Sequence, residues 1–218
     1  MKQLKYIFLF LLTLSICFYV ICRLPWSASA ASVDEQVIKI QKAYENIKDI
    51  KGSFVQKSFM KDLKKTETFN GSFYIKRPMK MKWSYEGSNA QDVLINNDEI
   101  TIYQKQEKQA FQGRFDRDTY GQAPIALLSG FGKIQDEFTV SNKQGNLLLK
   151  PKKPMGGVLS IEIELSNSEF PIKSFTVIDS YSNRITMELT DVKINTGLAD
   201  SFFDQTLPKD VTIIRQNL

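Results

Sequence analysis

Hydrophobic residues recur every three or four positions over the stretch that follows Ser32. The series is Val37, Ile40, Ala43, Tyr44, Ile47 and Ile50. This spacing places the apolar side chains along one side of an α-helix and leaves the other side polar. Ser32 and Glu35 have the spacing of a capping box, in which each side chain accepts a hydrogen bond from the other residue's backbone N–H. The pattern therefore predicts an amphipathic helix over about residues 33–50.

From Gly52 onward, hydrophobic and polar positions alternate one by one. The clearest runs are residues 69–75, 79–85, 159–165 and 185–189. Such alternation is typical of strands with one apolar and one solvated face, which occur in antiparallel sheets. Turn-forming sequences separate the runs. They lie at residues 96–98, 142–145, 166–168 and 180–183. We predict about ten to eleven strands.

A sheet of this width curls, and its apolar face must be covered. Besides the first helix, one other helical pattern is present at residues 123–130, with Pro124 in its first turn and Gly130 at its end. We therefore predict a mainly β fold, in which an unclosed antiparallel β-barrel with a helical lid encloses an apolar cavity. The alternation by itself fits a filled interior and a hollow one equally well.

The first thirty residues form a separate segment. A basic start is followed by an apolar stretch at residues 6–22 and by the small residues Ser27 to Ala31. This order is typical of a secretory signal peptide, and we expect cleavage after Ala30. The alternative is an uncleaved membrane anchor, because the apolar stretch approaches the minimum length for crossing a bilayer. On the first interpretation, residues 31–218 form one exported domain.

The composition of the chain argues against several kinds of site and function. Both cysteines, Cys17 and Cys22, lie in the leader, so residues 31–218 offer neither disulfides nor thiolate metal ligands. The leader also holds three basic residues, so the net charge falls from +5 to +2 (26 basic minus 24 acidic) in the remainder. These charges are dispersed, which argues against a nucleic-acid-binding protein.

Catalytic motifs are also missing from the sequence. The chain has no histidine, no Gly-x-Ser-x-Gly elbow and no phosphate-binding loop of the Gly-Lys-Ser/Thr type. Glu162 and Glu164 are two residues apart on a predicted strand, so they share its solvated face. We predict a protein that is not an enzyme and needs neither a cofactor nor a metal ion.

Several short motifs occur in order along the chain. They are Phe54-Val55-Gln56, Gly71, Arg77-Pro78, Trp83, the run from Ala123 to Leu128, and Phe202-Phe203. Together they resemble the LolA family of periplasmic outer-membrane lipoprotein carriers. The resemblance implies a periplasmic chaperone that binds the acyl chains of lipoproteins. It also implies two partners, an ABC-type release complex at the inner membrane and a receptor lipoprotein at the outer membrane. We also expect a monomer.

The resemblance implies a latch in which Arg77 donates hydrogen bonds to backbone carbonyls of the lid helix. The lid side of that latch would be Pro124, Leu127 and Leu128. We predict that the cavity is lined by Phe73, Ile75, Met79, Met81, Trp83, Tyr85, Ile161, Ile163 and Met187. Two simpler interpretations remain open: Arg77 as a solvated residue at a strand end, and Trp83 as an ordinary core residue.

A second function also fits these patterns. The same half-barrel could form a lipid- or lipoprotein-sensing module of envelope signalling, either soluble or tethered to the membrane. An uncleaved leader would favour that alternative. The distinction between a cleaved leader and a retained anchor therefore bears directly on function.

Overall fold

The computed structural model describes residues 32–115, 134–204 and 206–215. Two α-helices are present in these ranges, α1 (Val33–Asn46) and α2 (Ile134–Glu137), and the 3₁₀ helices are Gly87–Asn89 and Asp200–Phe203. The strands are β1 (Asp49–Met60), β2 (Lys65–Lys76), β3 (Lys80–Tyr85), β4 (Gln91–Asn96), β5 (Glu99–Gln104), β6 (Gln109–Arg114), β7 (Phe138–Lys143), β8 (Asn146–Pro151), β9 (Val158–Leu165), β10 (Ile172–Asp179), β11 (Arg184–Ile194) and β12 (Thr212–Arg215). The predicted leader and the predicted helix at residues 123–130 lie outside the described residues.

Helix α1 begins with the capping box that its sequence predicts. The Glu35 backbone N–H donates to Ser32 Oγ over 3.2 Å, and the Ser32 N–H donates to Glu35 Oε2 over 2.8 Å. The predicted end at about residue 50 is wrong, because the helix stops at Asn46 and Ile47 already has extended backbone. Asp49 and Ile50 instead pair with Lys76 and Ile75 of β2. The sheet therefore takes up the backbone hydrogen bonds that a longer helix would have used.

The twelve strands form one open sheet in the order β12-β6-β5-β4-β3-β2-β1-β11-β10-β9-β8-β7. The mainly β, unclosed fold is thus confirmed, and the described ranges contain twelve strands instead of ten or eleven. Neighbouring strands are antiparallel except for β12, which pairs with β6 in parallel. All four residues of β12 are exposed. Because a strand exposed on both faces shows no alternation of apolar and polar residues, the sequence pattern did not reveal β12.

The sheet has one buried face, here called the inner face, which carries Phe54, Phe73, Met81, Trp83 and Ile161 among others. Val37, Ile40 and Tyr44 of α1 belong to the same buried cluster, so this helix covers part of the inner face. The opposite, outer face is largely polar. The four predicted turns lie between β4 and β5, β7 and β8, β9 and β10, and β10 and β11.

After β11, the chain crosses the outer face of β2, β3 and β4. Phe203 of this segment is fully buried, and the Phe202 ring lies 4.7 Å from that of Tyr74. Lys82 Nζ is 5.1 Å from the centre of the Phe202 ring, a cation–π distance. The Asp200 carboxylate pairs with Lys76 at 2.7 Å. Aromatic packing and charge pairs thus fix the segment to the sheet.

Candidate binding site on the inner face

Two motif positions, Phe54 and Gly71, are explained by a single contact. A Cβ atom added at Gly71 would lie 2.0 Å from the Ser84 carbonyl oxygen and 2.7 Å from the Phe54 ring. Glycine therefore makes room for the phenyl ring to lie across β2. Phe54 in turn contacts Trp83, with ring centres 4.8 Å apart.

Trp83 links this contact to the rest of the inner face. Its ring stacks on Phe73, directly opposite on β2, with centres 5.1 Å apart and planes 27° apart. Trp83 is 2% exposed, in agreement with its interpretation as a core residue. A lining role is compatible with that position, because core residues of the inner face would also line any hollow beside it.

The nine residues predicted to line a cavity share this apolar surface. Seven are at most 4% exposed, and these are Phe73, Ile75, Met81, Trp83, Ile161, Ile163 and Met187. Met79 and Tyr85 are partly buried and pack against the same cluster. Ile75 lies opposite Met81 on neighbouring strands. Across β9 and β10, Ile163 lies opposite Phe175, which pairs with Met187 of β11. The structure brings the nine together, while their contact with a ligand stays a prediction.

A polar cavity of about 320 Å³ lies at one end of the inner face. We call it the mouth pocket, and it is lined by Gln56, Phe69, Tyr85, Asn89, Ala90, Gln91, Gln104 and Glu107. Of the nine predicted lining residues, only Tyr85 borders this described cavity. Sequence analysis missed the other residues. The sequence did contain one signal for them. On each of β1, β4 and β5, a glutamine occupies a position where the alternation calls for an apolar side chain.

Gln56 and Tyr85, which both line the mouth pocket, are joined by a hydrogen bond. The Tyr85 hydroxyl donates to Gln56 Oε1 over 2.9 Å, and Gln56 Nε2 donates to Ser58 Oγ over 2.9 Å. Burial raises the pKa of Tyr85 to about 12, although the neighbouring Trp83 indole offsets part of that rise. Tyr85 is therefore a neutral hydrogen-bonding group at physiological pH.

Arg77 lies in the turn between β2 and β3, next to the end of α1. Its Nη1 donates to the Tyr44 carbonyl oxygen over 2.5 Å. The last turn of α1 has no basic residue of its own, so Arg77 supplies the positive charge that a helix C-terminus favours. Burial raises the pKa of Tyr44, and the charge of Arg77 acts in the opposite direction. Pro124, Leu127 and Leu128, the predicted lid side of the latch, lie outside the described residues.

Asn195 contacts the same helix end from its position just after β11. Its Nδ2 donates to the Asn46 carbonyl oxygen over 3.2 Å, and its Oδ1 accepts from the Lys48 N–H over 2.8 Å. Asn195 has a φ of 54°, a left-handed conformation that asparagine tolerates better than most residues. The end of α1 is therefore held by two separate parts of the chain, through Arg77 and through Asn195.

Asp49 is a buried acid that sequence analysis did not single out. It accepts hydrogen bonds from the Thr196 N–H at 2.7 Å, from Thr196 Oγ1 at 2.9 Å and from the Gly197 N–H at 2.9 Å. Burial acts to raise the pKa of Asp49, but these hydrogen bonds outweigh it and hold the pKa below its ordinary value. Asp49 thus fixes the start of the segment that crosses the outer face.

The neighbouring acids Glu162 and Glu164 are both engaged in ion pairs. Lys143 Nζ lies 2.8 Å from Glu162, and Lys173 Nζ lies 2.6 Å from Glu164. Hydrogen bonds from these lysines lower the pKa of both carboxyl groups. The two acids share the face of β9 opposite Ile161 and Ile163, as the alternation predicts. Within the described ranges, no three acidic side chains are grouped in a way that would hold a metal ion.

The open sheet with its apolar, helix-covered inner face places the molecule among the unclosed, half-barrel β-proteins. The chain belongs to the family described as outer membrane lipoprotein carrier protein LolA, whose model matches residues 45–206. This match confirms the resemblance seen in the motifs. Residues Phe54, Gln56, Gly71, Arg77 and Trp83 all fall within the matched range.

Individual relatives agree with this assignment. The outer-membrane lipoprotein carrier protein of Neisseria meningitidis serogroup C is 27% identical over 203 residues, covering 90% of this chain and 95% of the relative. The protein of the same name from Pseudomonas putida is 26% identical over 195 residues, covering 87% and 93%. An uncharacterized conserved protein from Thermus thermophilus shares the fold, with a TM-score of 0.54 at 10% identity, over 85% of this chain and all of that one.

None of the described helices has both the length and the apolar character needed to span a membrane.

Proposed function

We propose that this protein is a periplasmic, non-enzymatic carrier that binds the acyl chains of lipoproteins released from the inner membrane and delivers them to a receptor at the outer membrane. The observation that carries the proposal is the family match over residues 45–206. The relatives that the chain resembles over about nine tenths of its length are named as outer-membrane lipoprotein carriers. The apolar inner face is the surface on which we place the acyl chains.

The physical task of such a carrier is to keep hydrocarbon out of water. Burying a lipid chain is worth about 0.8 kcal/mol per CH₂ group, so a protein with several acyl chains does not leave a membrane unaided. This sequence has no phosphate-binding loop from which ATP hydrolysis could drive extraction. We therefore place the energy input in a partner, an ABC-type release complex, and assign only the protected passage to this chain.

Arg77 is the residue that we assign to control of the covered state. The Arg77–Tyr44 hydrogen bond ties the β2–β3 turn to the helix that covers part of the inner face. If α1 must loosen before acyl chains enter, this contact favours the closed, empty form. A binding-competent form that is only partly populated lowers the apparent affinity for cargo, and weak holding favours transfer to a tighter receptor.

A release assay tests the carrier role directly. The exported, purified protein is incubated with spheroplasts that synthesise a labelled lipoprotein, and the supernatant is separated by size. We expect soluble lipoprotein that elutes together with this protein. Release that fails, while the purified protein still binds an alkyl-chain probe, would contradict the carrier role and favour a lipid-sensing module. Boiled protein and an unrelated periplasmic protein serve as controls.

A further inference from the structure

The mouth pocket carries an inference about which lipids this protein accepts, and it rests on the proposed carrier function. We propose that the mouth pocket binds the uncharged ester and amide groups at which the acyl chains of a lipoprotein join its peptide, and that it disfavours the anionic phosphate of a phospholipid. Three observations support this proposal: the position of the pocket, the hydrogen-bonding groups of its lining and the charge of its lining.

The mouth pocket adjoins the apolar inner face through Tyr85. Phe69 and Tyr85 line the pocket, and their ring centres lie 6.1 Å apart with the planes nearly perpendicular. On its other side, Tyr85 contacts Phe54 of the inner face, with ring centres 5.1 Å apart. The register places the pocket on this face, because Gln56 pairs with Phe69 on β2 and with Met187 on β11. A molecule whose chains lie on this part of the inner face can therefore place its polar end in the mouth pocket.

The lining supplies neutral hydrogen-bonding groups at high density. Of the eight lining residues in the described part of the chain, four carry primary amides, namely Gln56, Asn89, Gln91 and Gln104. A primary amide has two N–H donors and a carbonyl acceptor. In Gln56 the carbonyl already accepts from Tyr85 and the amide nitrogen donates to Ser58. Gln91 and Gln104 are paired on the neighbouring strands β4 and β5, so their side chains lie next to each other and can bind one ligand together. Ester carbonyls need donors, and peptide groups need both donors and acceptors, which this set provides.

The charge of the lining argues against a phosphate. Proteins bind phosphate groups with arginine and lysine, and neither is among the described residues that line the mouth pocket. Among the lining residues that the structure describes, the carboxylate is that of Glu107, whose negative charge repels an anion. The acyl chains of phospholipids and lipoproteins are alike, so the inner face has no means of distinguishing the two. The mouth pocket contacts the part in which they differ.

The volume of the pocket agrees with this assignment. About 320 Å³ is at the lower end of the range for small-ligand sites. This space suits a compact polar group such as a glyceryl-cysteine joint. The acyl chains themselves would remain on the adjoining apolar surface.

The test compares three probes on the full exported protein by direct binding. They are a tripalmitoyl-S-glyceryl-cysteinyl peptide, dipalmitoylphosphatidylglycerol, and a fluorescent alkyl chain without a polar joint. We expect Gln104→Leu and Gln91→Leu each to weaken binding of the lipopeptide by about five- to tenfold, the effect of losing one hydrogen bond. Binding of the alkyl probe should not change. The matched control is Gln112→Leu, since Gln112 pairs with Thr101 on the outer face.

A second variant tests the charge argument. Glu107→Lys should tighten binding of phosphatidylglycerol at least severalfold relative to the lipopeptide, because it replaces the repelling charge with an attracting one. Glu107 is exposed, so this change should leave the melting temperature close to that of the wild type. The wild-type protein should prefer the lipopeptide to phosphatidylglycerol of the same chain length.

The possible results separate this inference from the carrier function. If the wild type binds the lipopeptide and the alkyl probe but the glutamine variants have no effect, the inference fails and the carrier function stands. Equal losses for the alkyl probe, or an equal loss in Gln112→Leu, would also overturn it, because they would indicate a general loss of structure. If the wild type binds neither the lipopeptide nor the alkyl probe, both proposals fail.

Discussion

Replacing Arg77 with leucine tests the connection between the cover of the inner face and cargo transfer. The substitution removes a hydrogen bond from a charged donor to the Tyr44 carbonyl oxygen, together with the positive charge at the end of α1. Hydrogen bonds to charged groups contribute about 1.5–3 kcal/mol, and exposed Arg77 belongs at the lower end because water screens it. We expect a loss of about 1–2 kcal/mol in the free energy of unfolding. For a domain of this size, that corresponds to a decrease of roughly 2–8 °C in melting temperature.

The functional result should differ from the stability result. A loosened α1 raises the population of the form that admits acyl chains, so Arg77→Leu should hold cargo as well as or better than the wild type. Transfer to the outer-membrane receptor should then slow. The assay loads each variant with labelled lipoprotein, adds receptor-containing membranes and follows the label over time. Arg77→Lys, which keeps the charge but loses the planar guanidinium, should give an intermediate rate.

Two controls decide whether the latch explanation holds. Asn195→Ala removes the other contact to the end of α1, through the Asn46 carbonyl, and should slow transfer in the same direction. Ile172→Val trims a core residue that is 2% exposed and should cost about 0.5–1.5 kcal/mol without affecting transfer. Normal transfer by Arg77→Leu at a stability matched to Ile172→Val would refute the reasoning.

Three further predictions concern the sheet and its connections. Gly71→Ala should destabilise the fold by about 1–3 kcal/mol, because the new methyl group would lie 2.0 Å from the Ser84 carbonyl oxygen; urea unfolding measures this loss. Asp49 has a lowered pKa in the folded protein. Its contribution to stability is therefore fully present above its unfolded pKa of about 4. That contribution is lost as the pH falls through the lower pKa of the folded state. The stability difference between wild type and Asp49→Asn should therefore shrink between about pH 5 and about pH 2. Met81→Glu should weaken binding of an apolar probe, because it places a charge on the buried inner face.

The Gly71 and Met81 predictions each have a control on the same strand, and the pH dependence itself tests the Asp49 prediction. Ser72→Ala, next to Gly71 but on the opposite face of β2, should change stability by less than about 0.5 kcal/mol. Lys80→Glu, beside Met81, should leave apolar-probe binding unchanged, and equal effects from the two substitutions would reject the assignment of Met81 to the lining. A stability difference for Asp49→Asn that is the same at every pH would show that its carboxylate charge is not what holds Thr196 and Gly197.

Much of the local structure was predictable because it depends on residues close together in sequence. Ser32 and Glu35 specify the start of α1 through their own hydrogen bonds. Alternation placed Phe73, Trp83, Ile161 and Ile163 on one face, since successive strand residues point to opposite sides. The family assignment also followed from short motifs in the right order.

The end of α1 and the partner of Arg77 required long-range information. Residues 47–50 continue the helical spacing of apolar side chains, yet Asp49 and Ile50 pair with β2 because the sheet offers them a full set of backbone hydrogen bonds. Arg77 was predicted to contact residues 124–130, which lie outside the described residues, and its described contact is with Tyr44, far earlier in the chain. The spacing of residues along the sequence does not show which residues far apart in the chain come into contact.

By itself, the sequence determined the class of fold, the apolar face and the family, because hydrophobic period and motif order are local properties of the chain. Tertiary structure alone decided the twelfth strand, the contact of Phe54 with Gly71, and the gathering of Gln56, Gln91 and Gln104 into one pocket. Those three glutamines belong to three different strands, and each is an ordinary polar residue until strand register brings it beside the others. Register depends on pairing across the whole sheet, and for that reason the mouth pocket emerged only from the folded chain.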